Sequence, residues 1–167
     1  MTFEDLINVT LDRIDEDKVD TDPVALSVIK AGINTGYQIL ATAVDPKSKE
    51  IVYPFSKSNK LPEDFNEFIE VSHSVIGELS SNDYERRADL LYVTNRDIKK
   101  GDVKVTYVAF PDSLNNLTDI AQIKDTYLTA ISAYGAYMYQ VHRKKYQAAS
   151  MLLSEFNSYL GGEQVEP

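Results

Sequence analysis

Chemistry in this chain would have to start from very few groups. His73 and His142 are the only histidines, and cysteine is absent. A zinc site or a hydroxyl–histidine pair would therefore rest on one imidazole, with no second histidine close by in sequence. His73 falls in the alternating run Ile69, Val71, His73, Val75, where a sheet histidine with satisfied nitrogens is expected. His142 opens the basic run His142-Arg143-Lys144-Lys145 at a helix junction, where cations complement the helix dipole; a protein or phosphate contact is the alternative. Glu63 and Asp64 are adjacent carboxylates, and adjacent side chains point apart, which does not suit paired acid–base work. The acidic stretch from Asp12 to Asp22 tests as a calcium loop. Counted from Asp15, the glycine position holds Asp20 and the bidentate glutamate position holds Leu26, so a solvated loop is expected. Phosphate-cradling and nucleophile-elbow motifs are absent. The residues point to no catalytic, cofactor-binding or metal site, and to a protein that is not an enzyme.

The elements that would position such groups fit one domain of 167 residues, with ordinary hydrophobic (43%) and charged (26%) fractions that argue against wholesale disorder. A net charge of −9 opposes general affinity for nucleic acid or an anionic membrane, though DNA could pass such a surface without sticking. The first residues, Met1-Thr2-Phe3-Glu4-Asp5, are charged at once, so no secretory signal is expected. No apolar run approaches the roughly 20 residues of a membrane span. Tyr134, Tyr137 and Tyr139 cannot all face one core, and a surface tyrosine points toward assembly.

Helical spacing of Phe3, Leu6, Ile7, Leu11 and Ile14 predicts a first helix over about 2–14, with Thr2 as its cap and Asp5 in its first turn. Asp22-Pro23 starts a second, over about 22–44, with a stripe of Leu26, Ile29, Ile33, Tyr37 and Leu40. Gly32 and Gly36 inside it imply close packing against a neighbouring helix, since each costs about 1 kcal/mol against alanine. Strands are expected over 51–55, with Pro54 marking an edge, and around 69–75, 90–94 and 103–110. The last two are expected to pair as an antiparallel hairpin across Lys99-Lys100-Gly101-Asp102. Ile123, Tyr127, Ala130, Ile131, Tyr134 and Met138 predict a third helix over about 119–141. Tyr146, Ala149, Leu152, Leu153, Phe156 and Leu160 predict a fourth over about 144–160, stopped by Gly161-Gly162. The expected fold is α+β: a mainly helical bundle of about four helices, with a small antiparallel β-module (about 51–110) inserted between helices 2 and 3. One domain over 1–160 is followed by a flexible tail, 161–167.

Three stretches in this order carry a resemblance. They are Ile33-Asn34-Thr35-Gly36-Tyr37; Leu61-Pro62-Glu63-Asp64-Phe65 with Val105–Pro111 closing the strands; and Tyr127–Tyr137 followed by Lys145-Tyr146-Gln147-Ala148-Ala149 and Phe156-Asn157-Ser158-Tyr159-Leu160. Together they span nearly the whole chain, which resembles the head–tail adaptor (connector) proteins of long-tailed bacteriophages; residues 77–90 match nothing in that pattern. The resemblance implies a structural virion protein, assembled in the bacterial cytoplasm and placed in the neck between capsid and tail. It implies a homo-oligomeric ring, usually twelve-fold, that docks on the portal protein, carries the stopper or tail-completion protein, and lets double-stranded DNA through its lumen without specific binding. It implies no catalysis, no cofactor and no membrane. By position, Gly161, Gly162, Glu163, Gln164, Val165, Glu166 and Pro167 would form the portal-docking tail, and Asp15, Glu16, Asp17, Asp20 and Asp22 an acidic loop at the DNA channel. Another neck or tail-completion component is the alternative, followed by a small non-virion enzyme or binding module.

Overall fold

The computed structural model describes residues 1–14 and 22–161. It is a mixed α+β fold with antiparallel sheets. The chain divides into two compact units: a helical one from residues 1–45 and 111 onward, and a β unit, Pro46–Phe110.

The helical unit holds α1 (Phe3–Ile14), α2 (Pro23–Val44), α3 (Leu128–His142) and α4 (Tyr146–Leu160). Thr2 and Asp5 cap α1 reciprocally: the Thr2 N–H donates to the Asp5 carboxylate at 2.9 Å, and the Asp5 N–H donates to Thr2 Oγ1 at 3.2 Å. Asp22 caps α2 by accepting from the Val24 and Ala25 N–H groups, with Pro23 at the first helical position. Helix α3 is buried on almost every side rather than along one stripe, and it packs against α1, α2 and α4. Its small residues Ala130, Ser132, Ala133, Gly135 and Ala136 let those neighbours close in. Tyr139 is buried, while Tyr134 and Tyr137 are half-buried with their rings in edge contact.

The paired glycines of α2 do what their spacing implied. A Cβ on Gly32 would lie 2.9 Å from Met138 Cβ, and one on Gly36 would lie 2.8 Å from Tyr134 Cβ. Gly135 answers from α3, where a Cβ would meet Ile33 Cγ1 at 2.8 Å. Helix α3 starts later than the expected 119, at Leu128, preceded by a 3₁₀ turn over Asp125–Tyr127. Burial explains this. Ala121 and Ile123 are buried while Ile120, Gln122 and Lys124 are exposed, a period of two that belongs to extended chain.

The β unit contains β1 (Lys47–Pro54), β2 (Ser58–Lys60), β3 (Phe65–His73), β4 (Gly77–Glu78), β5 (Tyr84–Arg87), β6 (Leu90–Val93) and β7 (Asp102–Ala109). They form two sheets, ordered β1-β7-β3-β4 and β2-β6-β5. The expected pairing of 90–94 with 103–110 is therefore wrong. The segment between them is folded back by the Thr94 and Asn95 N–H groups donating to Asp83 O, and Ile98 plugs the core, so no tight hairpin can join them. Instead β7, whose Val103, Val105, Tyr107 and Ala109 line one buried face, sits between β1 and β3. Strand β1 is an edge, as Pro54 indicated. Residues 84–93 form a hairpin whose two-residue turn puts Ala88 at φ +52°. The expected inward face of β3 also shifts. Register breaks at Phe65/Glu67 and Phe68/Glu70 leave Ile69 55% exposed and bring the Phe65 and Phe68 rings to 4.6 Å.

In an open helix Gly→Ala stabilises by about 1 kcal/mol. Gly36→Ala should instead destabilise this protein by about 1–3 kcal/mol, because the added methyl overpacks against Tyr134. Phe156→Ala, at a fully buried position, should cost about 3–5 kcal/mol. Chemical denaturation of both variants checks the pair; a stabilised Gly36→Ala would contradict the packing.

Candidate functional site

The two histidines lie in different units. His73 is buried. Its Nδ1 accepts from the Val75 and Ile76 N–H groups at 3.3 and 3.4 Å, so the ring proton sits on Nε2 and donates to Lys100 O at 2.8 Å. The ring is a clamp that holds the β3–β4 turn against the 99–101 loop. Gly101, at φ +112°, makes room for it: a Cβ there would come within 2.6 Å of Nε2. That turn presents Val75 (78% exposed) and Ile76 at its tip. Among the described residues no group of three or more His, Asp or Glu side chains could hold a metal ion.

Leu61–Phe65 is a structural corner. Leu61 N–H donates to Asp89 O, Phe65 N–H to Pro62 O, and Phe110 N–H to Asp64 O. The Asp64 carboxylate takes Lys49 Nζ at 2.6 Å and the Tyr107 hydroxyl at 3.1 Å, joining β1 and β7 to the start of β3. Burial alone would raise the Asp64 pKa, but Lys49 and Tyr107 outweigh it and hold the carboxyl below its ordinary value. Burial, with the neighbouring Asp64 charge, pushes Tyr107 up to about 12. Glu63, beside it, is exposed.

In the helical unit, residues 111–124 form an extended strap held by both N-terminal helices. Asn34 on α2 imitates a strand partner: its Oδ1 accepts from Leu114 N at 2.7 Å, and its Nδ2 donates to Leu114 O at 3.0 Å. The Tyr37 hydroxyl accepts from Gln122 N at 2.9 Å. At the start of α1 the Phe3 and Glu4 N–H groups donate to Asp119 O and Leu117 O, and Thr2 bridges Ile120. Asp119 organises the bend by accepting from the Asn115 and Asn116 N–H groups, both at 2.8 Å; the Asn116 bond leads in holding its pKa low. A cleft of about 260 Å³ opens here. Tyr37, Leu114 and Ile120 supply its apolar lining, and Asp112, Ser113 and Asp119 its polar lining. Ile120 is 65% exposed, and Met1 and Leu117 are exposed as well.

The α3–α4 junction is the opposite in charge. His142, Arg143, Lys144 and Lys145 are all exposed, and Tyr146, 66% exposed, follows them.

Of the residues expected at the DNA channel, Asp22 is the cap of α2, and Asp15, Glu16, Asp17 and Asp20 lie outside the described residues. Of the expected docking tail, Gly161 closes α4 by donating to Asn157 O, and 162–167 lie outside the described residues. The strap cleft was missed in the sequence, although the alternation of Ala121 and Ile123 was its signal. The chain matches no known family model and no curated protein.

A carboxyl held low stabilises the fold above its unfolded pKa and loses that contribution as pH falls through the folded value, so Asp64→Asn should flatten the fall in stability below about pH 4. A tyrosine held high acts in reverse, so stability should also fall between pH 10 and about 12, and Tyr107→Phe should lessen that fall, leaving the part due to Tyr53 and Tyr134. Denaturation across pH checks both. Asn34→Ala should cost about 1–3 kcal/mol by leaving the backbone of buried Leu114 unpaired. It should also speed amide exchange at Leu114, which mass spectrometry or NMR would show.

Proposed function

We propose that this chain is a head–tail adaptor of a long-tailed bacteriophage: a virion protein that forms a ring beneath the capsid portal, extends the DNA channel and carries the stopper or tail-completion protein, without catalysis. In this reading the helices form one bundle, and the β unit is a module inserted between its second and third helices. The observation that carries the reading is where the stretches of likeness fall. Each is a joint of the fold: Asn34 and Tyr37 hold the strap, Leu61–Phe65 tie the β unit together, and Tyr127–Tyr137 lead into and build the central helix. The balance of elements, 44% helix against 26% strand, supports an adaptor over a stopper-like component, since stoppers are dominated by β-structure. A net charge of −9 suits a lumen along which DNA slides.

Negative-stain electron microscopy tests the proposal, with this protein mixed with the portal ring encoded in the same gene cluster. A second ring stacked coaxially on the portal is the expected result, weakened when Glu163–Pro167 are deleted. Folded protein that leaves an intact portal bare would overturn it in favour of a more distal neck or tail component.

A further inference from the structure

Tyr146, the first residue of α4, is 66% exposed, and its side chain makes no hydrogen bond among the described residues. It directly follows His142, Arg143, Lys144 and Lys145. In a chain with 26 acidic residues against 17 lysines and arginines, three consecutive cations, Arg143, Lys144 and Lys145, beside an exposed aromatic ring are a local inversion of charge. The strap cleft has the converse character. Ile120 and Leu117 give it an exposed apolar rim, while Asp112, Asp119, Glu4 and Asp5 lie on the strap and the adjoining start of α1. Its volume of about 260 Å³ exceeds that of a phenol ring.

We infer that Tyr146 of one copy seats in the strap cleft of a second copy, with the Arg143–Lys145 cations over the acids of its rim. Aromatic and arginine side chains in a pocket are the usual anchors of an interface, and charge complementarity sets which surfaces meet. The occupant is a second copy because both halves of the complement stand on this one chain. The two patches are different surfaces of one chain, so basic turn on acidic cleft can repeat head to tail and add copies in one direction. This deepens the ring reading and rests on it for the closure of the chain of copies, but the contact itself needs no portal.

The absence of cysteine makes the test direct. Gln147→Cys, at the exposed position beside the anchor, and Ser113→Cys are made as separate single variants, mixed at high protein concentration and oxidised mildly. The mixture should give a disulfide-linked pair containing one of each, and neither variant alone should link. Tyr146→Ala or Lys144→Glu in the Gln147→Cys chain should cut the yield at least tenfold, and Asp112→Lys in the partner should restore the Lys144→Glu yield. Raising salt toward 1 M should reduce the yield. No mixed product from folded variants, or equal linking of Gln147→Cys with itself, overturns the inference. A mixed product from protein that leaves the portal bare would keep this interface and reject the adaptor reading. A portal-stacked ring without the mixed product would do the reverse.

Discussion

Helices α2 and α3 approach so closely that a methyl group has no room between them at Gly32, Gly36 or Gly135. Each glycine gives up helix propensity of about 1 kcal/mol, and what it gains is backbone contact along a whole helix face, where dispersion accumulates atom by atom. The approach fixes α3 as the axis of the helical unit. Thr10 of α1 sits in the same crossing, where its hydroxyl donates back to Leu6 O and its methyl lies at the Gly135 position. With α2 pressed to α3 through its glycines, other positions on the same helix, Asn34 and Tyr37, are free to hold the strap. One crossing therefore sets the core and the surface feature together.

The β unit is organised differently, by one polar tie inside an apolar frame. Asp64 draws an ammonium, a hydroxyl and, through its carbonyl, the Phe110 N–H to the same point. Around it Phe68 and Tyr84 meet edge to face, Phe65 packs at a tilt against Phe68 and Tyr107, and the Arg86 guanidinium lies 4.8 Å from the Phe65 ring centre. The hydrogen bond between Asp64 and Tyr107 adds to burial in raising the Tyr107 pKa and to Lys49 in lowering that of Asp64.

What could be read from residues alone followed local physics. The Thr2–Asp5 cap, the Asp22-Pro23 start, the glycine spacing and the strict alternation of β7 each depend on neighbours in sequence, and each came through. Pairing depends on distant chain. The hairpin across residues 99–102 fails because β1 and β3 claim both edges of β7. The face of Ile69 fails because a bulge has no compositional mark. The early start of α3 fails because Ile123 and Tyr127 fit a helical period while Ala121 and Ile123 fit a strand. The hydrogen bonds that decide between them come from Asn34 and Tyr37, about eighty residues away in the chain. The cleft was invisible for the same reason, since it exists only once the strap is extended.

The β unit leaves one further consequence. Its first strand begins opposite its last residues, Lys47 facing Ala109 across an antiparallel rung. The chain thus enters and leaves the unit at nearly the same point, about 5 Å apart. Once the ladder has formed, α2 and the strap are joined by an effective loop of a few residues instead of some sixty. By the logarithmic law of loop closure that is four to five halvings of length, or about 3 kcal/mol of chain entropy removed before the helices meet. The β unit, which puts some sixty residues between α2 and the strap, is thus also the part that shortens the search for the helical core.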